Sequence, residues 1–406
     1  MASFTQIKAN NKQGYMWICI KDGPPDPVTG KRNQIKRRGT TKKEAEARAD
    51  KAINSLKDDG IDTKKIKHLP FEKVAQEWLL AYSRTGVKKG TIRLRKNSIA
   101  TLNEHIGQVN IDKVTHKAHQ NILNKLFDEG YSKSTIEGVH VTANLIYKHA
   151  IKEKYIKDNP ATGAIIPIKR RTVEEIENSP IEEKYLERHE LEDFLGAVRL
   201  HGLEDDLEIF YLIAFTGIRS GELCALKETD FDFESLKMRI TKTIYNPNNN
   251  MSEYELVPPK TVGSIRTIEL DENIMMMIKA LIKRRAKLRM VAKHFDPDYH
   301  DKKFIFCNDK GYPFVQKFVQ TRMERVLRKT EIRKKATPHI FRHTHVSMLA
   351  EAGVDLPTIM QRVGHDDSKT TIKIYMHITD KMKEKATDQV NAHFSDLLKK
   401  AVLQGM

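Results

Sequence analysis

The stretch whose reading decides the rest runs from Thr337 to His377, TPHIFRHTHVSMLAEAGVDLPTIMQRVGHDDSKTTIKIYMH. His339 and Arg342 stand three apart at the start of a run whose apolar residues (Ile340, Val346, Leu349) have helical spacing, so both side chains can share one side of a turn. His365 follows in Val363-Gly364-His365, and Tyr375 comes in Ile374-Tyr375-Met376-His377. A lone histidine or tyrosine at such a place is most often a satisfied structural residue. Two histidines, an arginine and a tyrosine in this order are a set suited to phosphodiester chemistry.

Two upstream stretches strengthen the set. Thr216-Gly217-Ile218-Arg219-Ser220-Gly221-Glu222-Leu223 follows an apolar segment (Phe210, Leu212, Ile213, Phe215) and puts Arg219 at a glycine-bounded helix entry. Pro259 to Ile268 (PKTVGSIRTI) reads as a hairpin, with Val-Gly-Ser as the turn and alternating apolar residues after it. The series Arg219, Lys260, His339, Arg342, His365, Tyr375 resembles the tyrosine recombinase (phage integrase) family, in which a TGxRxxEL box, a hairpin lysine, HxxR, an LGH and a tyrosine carry the active site. The resemblance covers about Leu186 to Ile378 and, more loosely, the N-terminal half. Val363 departs from the usual leucine and changes only a core side chain.

The residue types fit the reaction. Cutting a phosphodiester puts charge on the non-bridging oxygens, needs an in-line nucleophile and needs a proton for the leaving oxygen. Arg219 and Arg342 offer forked donors to a phosphate, for which guanidinium is better shaped than ammonium. Tyr375 attacks phosphorus, and its ester keeps the bond energy for religation. Lys260 is assigned the leaving-group proton, His339 the tyrosine proton and His365 a donor to the phosphate. Glu222 orients a neighbour. The motifs contain no carboxylate cluster for two Mg²⁺ ions and no phosphate-cradling nucleotide box, so no cofactor is expected.

Composition and charge placement agree. At 406 residues and 39% apolar, the chain is long enough for two or three domains with real cores. Cys19, Cys224 and Cys307 are far apart and form no CxxC, so neither a disulfide framework nor a zinc site is expected. A mean hydropathy of -0.56, with no signal-like leader and no long apolar run, points to a protein of the cytoplasm with no membrane partner, and the resemblance to DNA recombinases implies association with the nucleoid. The net charge of +17 sits in the N-terminal half: residues 1–68 carry +8, residues 69–171 carry +9, and the remainder balances. Such an excess suits a polyanion-gripping module attached to a separate catalytic domain.

Taken in order, the chain is expected to be multidomain and mainly α. Residues 1–66 read as three short strands (Ser3 to Ala9, Tyr15 to Ile20, Gln34 to Arg38) and a helix from Thr41 or Lys42 to Leu56. The sheet carries Lys31, Arg32, Lys36, Arg37 and Arg38, and a basic sheet of this size fits a major groove. Residues 67–168 read as four helices, with Phe71, Val74, Ala75, Trp78, Leu79 and Tyr82 on one face of the first. The second turns Ile92, Ile99, Leu102 and Ile106 inward and Arg93, Arg95 and Lys96 outward to DNA. Residues 169–185 form a charged linker. Residues 186–386 form a mostly helical α+β catalytic domain with a small β-hairpin sheet, and residues 387–406 a terminal helix. Basic faces at Lys283, Arg284, Arg285, Lys287 and Arg289, and at Arg322, Arg325, Arg328 and Lys329, either line DNA or are simply solvated.

The resemblance implies an integrase of a mobile element, such as a conjugative transposon or temperate phage. It implies an arm-type DNA-binding domain at 1–66 and a core-binding domain at 67–168. It also implies double-stranded DNA at core-type and arm-type sites, a homotetramer on DNA docked through 387–406, and a DNA-bending or excision accessory protein. A type IB topoisomerase-like enzyme and a non-catalytic DNA-binding architectural or regulatory protein are the rival readings; the second has no use for Tyr375.

Overall fold

The computed structural model describes residues 2–11, 13–25, 32–58, 69–169, 184–259, 262–364 and 369–383. The chain divides into two compact units, 1–170 and 171–406.

The first unit begins with an antiparallel sheet ordered β1 (Ser3–Lys8), β2 (Tyr15–Asp22), β3 (Gln34–Gly39), followed by α1 (Lys42–Asp58). Alternation along the strands turns Cys19 and Ile35 onto Ala45, Ala49, Ala52 and Ile53 of α1. Gly39 lets the helix come close, because a Cβ there would lie 2.4 Å from the Ala45 nitrogen. Lys36 and Arg38 are exposed on the opposite face of β3, whereas Arg37 shares the helix-side parity and is half-buried. Arg32 is exposed and forks onto Asp22 at 2.8 and 2.7 Å. Lys31 lies outside the described residues.

Four helices follow: α2 (Phe71–Ser83), α3 (Lys89–Ile106), α4 (His116–Asp128) and α5 (Lys133–Lys152). Thr115 and Ser132 start α4 and α5 by accepting the N–H groups of Ala118 and Thr135 at 3.1 and 3.2 Å. Phe71, Val74, Trp78, Ile99, Leu102, Ile106, Leu123, Leu126, Ile136, Val139, Ile146 and Tyr147 share one core, so the aromatic residues pack rather than stack on bases. Each such side chain contributes about 1.5–3 kcal/mol by leaving water. One expectation is corrected here. Arg95 does not face solvent: it is half-buried and donates to the Gly138 carbonyl and to Thr142 Oγ1 (3.0 Å), clamping α3 to α5. Arg93 and Lys96 are exposed.

The second unit is built on α6 (Arg188–His201), α7 (Asp206–Thr216), the short α8 (Ser220–Cys224), α9 (Glu272–Phe295), α10 (Gln316–Leu327), α11 (Ile340–Glu351), α12 (Leu356–Val363) and a helix over 369–383, α13. α7 has almost no polar face because it is buried at the centre; Ile209, Phe210, Leu212 and Ile213 are all fully covered. Its small sheets differ from the expected hairpin at 259–268. β7 (Glu255–Val257) returns from the Asn-rich loop to pair with β6 (Thr243–Tyr245), while β8 (Arg266–Glu269) pairs with β5 (Lys237–Ile240), which also holds the two-residue β4 (Phe231–Asp232). The matching alternation explains this, since Ile268 opposite Met238 and Arg266 opposite Ile240 both point into the core.

The basic faces of α9 and α10 are largely committed to the fold. Arg284 and Arg285 pair with buried Asp205 and Arg325 with buried Asp206, so these arginines fasten α9 and α10 around α7, while Arg289 pairs with Glu228 in the segment after α8. Lys283, Lys287, Arg328 and Lys329 are the exposed remainder. Cys19, Cys224 and Cys307 are buried free thiols. Among the described residues, no helix is long and apolar enough to cross a membrane.

Candidate active site

Arg219 is delivered by a tight passage between two helices. Gly217 ends α7 in the left-handed conformation (φ 63°), and a Cβ there would lie 3.0 Å from His345 Cδ2, so both the turn and the packing require glycine. Arg219 then caps α8, its N–H donating to Glu222 Oε2 at 3.1 Å and its Nη1 to Oε1 at 2.9 Å. The Arg219 side chain stays 31% exposed while Glu222 is buried. Burial pushes the Glu222 carboxyl up, but Arg266 and Arg219 outweigh it and hold the pKa below its ordinary value.

Arg342 joins that passage to two other segments. From the first turn of α11 its Nη1 donates to the Gly217 carbonyl at 2.8 Å, and its Nη2 donates to the Val363 carbonyl at the end of α12. The side chain is completely buried; burial, helped by Arg219 and Arg266, pushes its pKa down to about 8, which leaves it charged at neutral pH. A buried cation therefore lies beneath Arg219.

His339 caps α11 and is exposed, with its ring edge-to-face on His343 at 4.7 Å between centroids. Crowding of its ring by neighbouring groups lowers its pKa, and the Arg342 and Arg219 charges lower it further. It is neutral at pH 7, the state a proton acceptor needs.

Tyr375 lies half-buried on α13, whose Ile374 and Ile378 pack with Val346 and Ala350 of α11 and Ile359 and Val363 of α12. The two helices that fix Arg342 and its carbonyl partner thus also fix the tyrosine. Arg219, Arg342 and His339 form one cluster; Lys260 and His365 lie outside the described residues. Gly364, just before His365, closes α12 at φ 66°, and a Cβ on it would lie 3.1 Å from Arg266 Cδ and Nη1.

Sequence reasoning missed the supporting residues. Arg266 occupies a buried position of β8, where an arginine requires partners; its place on the apolar parity of the strand was the available signal. His345 is also buried, its Nε2 accepting from Arg362 Nε at 3.1 Å while the ring hydrogen-bonds to the Ala214 backbone. Burial, with Arg362 beside it, lowers its pKa to about 3.

The comparisons with known proteins place this fold in a DNA-strand-transfer class. Residues 184–382 match the model of the phage integrase family, and residues 70–127 match the SAM-like N-terminal domain of phage integrases. A probable integrase of prophage ps2 from Lactococcus lactis is 30% identical over 378 residues, covering 90% of this chain and 94% of that protein. The ICEBs1 integrase of Bacillus subtilis is 25% identical over 380 residues, with the same coverage of both chains. Among solved structures, the Tn1549 transposon integrase in complex with transposon right-end DNA has the same fold at a TM-score of 0.61 and 20% identity, covering 78% of this chain and 99% of that one. A lambda integrase dimer bound to a core site has a TM-score of 0.53 at 15% identity, covering 91% and 94%. The chain belongs to the phage integrase family, the tyrosine recombinases, which are DNA strand-transferring enzymes. It is an integrase of the mobile-element kind, and the topoisomerase-like and non-catalytic readings are not favoured.

Proposed function

We propose that Tyr375 is the nucleophile that takes the 3′ phosphate of a cut strand, with Arg219, Arg342, His339, Lys260 and His365 serving the same phosphate. Tyr375 Oη attacks phosphorus while its proton passes to His339; the bond to the 5′ oxygen breaks, and that oxygen takes a proton from Lys260. Half-buried Arg219 donates to the non-bridging oxygens, and Arg342 adds its charge from below. A second 5′ hydroxyl reverses the step on another strand. The observation that carries this reading is the hydrogen bond from Arg342 Nη1 to the Gly217 carbonyl, which joins the two arginine motifs across 125 residues of chain.

In the same reading, residues 1–66 bind arm-type sites through Lys31, Arg32, Lys36, Arg37 and Arg38. Residues 67–168 bind the core site, residues 169–185 link, residues 186–386 cut and rejoin, and residues 387–406, beyond the described residues, dock on a neighbouring subunit. Exposed Arg93 and Lys96 are the DNA contacts of the helical block, with Arg95 supporting them from inside. The lambda integrase tetramer bound to a Holliday junction supports a tetramer on DNA here, and accessory DNA-bending or excision proteins and a cytoplasmic, nucleoid-associated location complete the proposal. Trapping on a nicked duplex that loses its 5′ fragment tests it. The adduct should map to Tyr375, and Tyr375→Phe should bind the duplex and form none; an adduct persisting in that variant removes the assignment.

A further inference from the structure

Arg266 makes four hydrogen bonds next to the cluster. Its guanidinium donates through Nη2 to Glu222 Oε2 at 2.9 Å and through Nη1 to Glu222 Oε1 at 3.4 Å. It also donates through Nη1 to the Ser264 carbonyl at 2.9 Å and through Nε to the Arg362 carbonyl at 2.9 Å. The side chain is 4% exposed and Gly364 packs directly on it, so it does not meet solvent or substrate. One residue therefore touches the Arg219 helix through Glu222, the end of α12 through Arg362 and Gly364, and the turn that follows Lys260 in the chain.

Glu222 is where this matters for the reaction. Its two oxygens serve two arginines, and the Arg219 side chain makes one contact, through Nη1, instead of the two-pronged grip that a guanidinium and a carboxylate adopt when left to themselves. Were Arg266 absent, Glu222 would be a buried carboxylate with Arg219 as its hydrogen-bonded cation and Arg342 acting only through its charge, and closing on both prongs of Arg219 would be its best remaining satisfaction. Arg219 would then turn toward Glu222 and away from a phosphate.

We infer that Arg266 is a positioning residue for strand cleavage: by holding Glu222 it keeps part of the Arg219 fork available to the scissile phosphate. The inference rests on the assignment of Arg219 to the phosphate. It separates from a structural role because it predicts where the lost rate reappears. A methylphosphonate at the scissile position carries no charge on its non-bridging atoms, so a substrate of this kind relieves the need for Arg219.

The test measures single-turnover adduct formation on phosphate and methylphosphonate duplexes for Arg266→Ala, Arg219→Ala and the double variant, with DNA binding and thermal midpoint alongside. On phosphate, Arg266→Ala should be slower by roughly 10- to 100-fold, as for a misplaced reacting group, with little change in DNA binding. The double variant should be no slower than Arg219→Ala, and both single losses should largely disappear on methylphosphonate. If Arg266→Ala lowers the midpoint too far, Arg266→Lys, which keeps a cation beside Glu222 but cannot reach all its acceptors, takes its place in the same comparison. An Arg266 loss that adds to that of Arg219→Ala, or persists on methylphosphonate while Arg219→Ala recovers, overturns the inference alone. Wild-type rates for Arg219→Ala on phosphate overturn the assignment of Arg219 and this inference with it.

Discussion

His345 accepts a hydrogen bond from Arg362 at 3.1 Å between Arg362 Nε and its own Nε2, so the buried imidazole is held neutral. His119 of the helical block is in a similar state: it is fully buried, shares a 3.0 Å hydrogen bond with His140, and is pushed down to about 4 by burial and by His140.

These depressed pKa values make stability fall with acid. A histidine whose folded pKa lies below its unfolded value of about 6.5 contributes fully above that value, and the contribution drains away as the pH falls toward the folded value, because the unfolded chain binds the proton first. Between pH 7.5 and 5.5 each of the two should cost about 1 kcal/mol. Urea unfolding at the two pH values checks this, and His345→Gln should flatten the acid dependence of the second unit. An unchanged slope in that variant would mean that His345 is not the group responsible.

Gly217→Ala should damage stability and catalysis together. The residue has φ 63°, and the added Cβ would press on His345. The strain is about 1–3 kcal/mol, and relieving it moves the carbonyl that holds Arg342. A lowered thermal midpoint accompanied by slower adduct formation is expected. An intact cleavage rate would show that the Arg342 contact does not set the geometry.

The N-terminal sheet module should be separable from cleavage. A fragment starting at Leu69 keeps Phe71, which is fully buried in the helical core, whereas a start at Glu72 removes it. That fragment should cut a core-site duplex as the full chain does but fail to integrate on complete attachment sites. The isolated module's affinity for DNA should fall steeply with salt, because exposed Lys36 and Arg38 act through phosphate charge. Equal integration by fragment and full chain rules out a two-site reader.

The elements were legible because their signals are local, and so were the motifs that put Arg219, His339 and Arg342 side by side. Helical apolar spacing gave α2 to α5, and the strand runs of the N-terminal sheet were bounded by turn residues. Pairing was not local: β8 looked like the return arm of a hairpin, yet its buried parity matches β5, a partner far back in the chain. Ion-pair commitments were equally hidden. Arg284, Arg285 and Arg325 read as faces that line DNA or are solvated until Asp205 and Asp206, which precede α9 and α10 by many residues, are placed beneath them. Arg95 looked solvent-facing because sequence spacing shows which side of a helix a residue lies on but not how far a long side chain folds back.

Lys260 has the least direct support as general acid, since a lysine near a phosphate serves equally as a clamp. The two roles make different demands on the leaving group. An alkoxide is strongly basic and needs a proton as its bond breaks, whereas a bridging sulfur departs readily as a thiolate. If Lys260 is the acid, Lys260→Ala should cut ordinary DNA roughly 10²- to 10⁴-fold more slowly and recover most of that on a 5′-bridging phosphorothiolate. Arg219→Ala, which removes charge stabilisation at the non-bridging oxygens, should recover little on the same sulfur substrate. Should sulfur fail to rescue Lys260→Ala, the acid role passes to another group. His339 is exposed and neutral beside two arginines, which suits it to accept a proton rather than donate one, so His365 would be examined next.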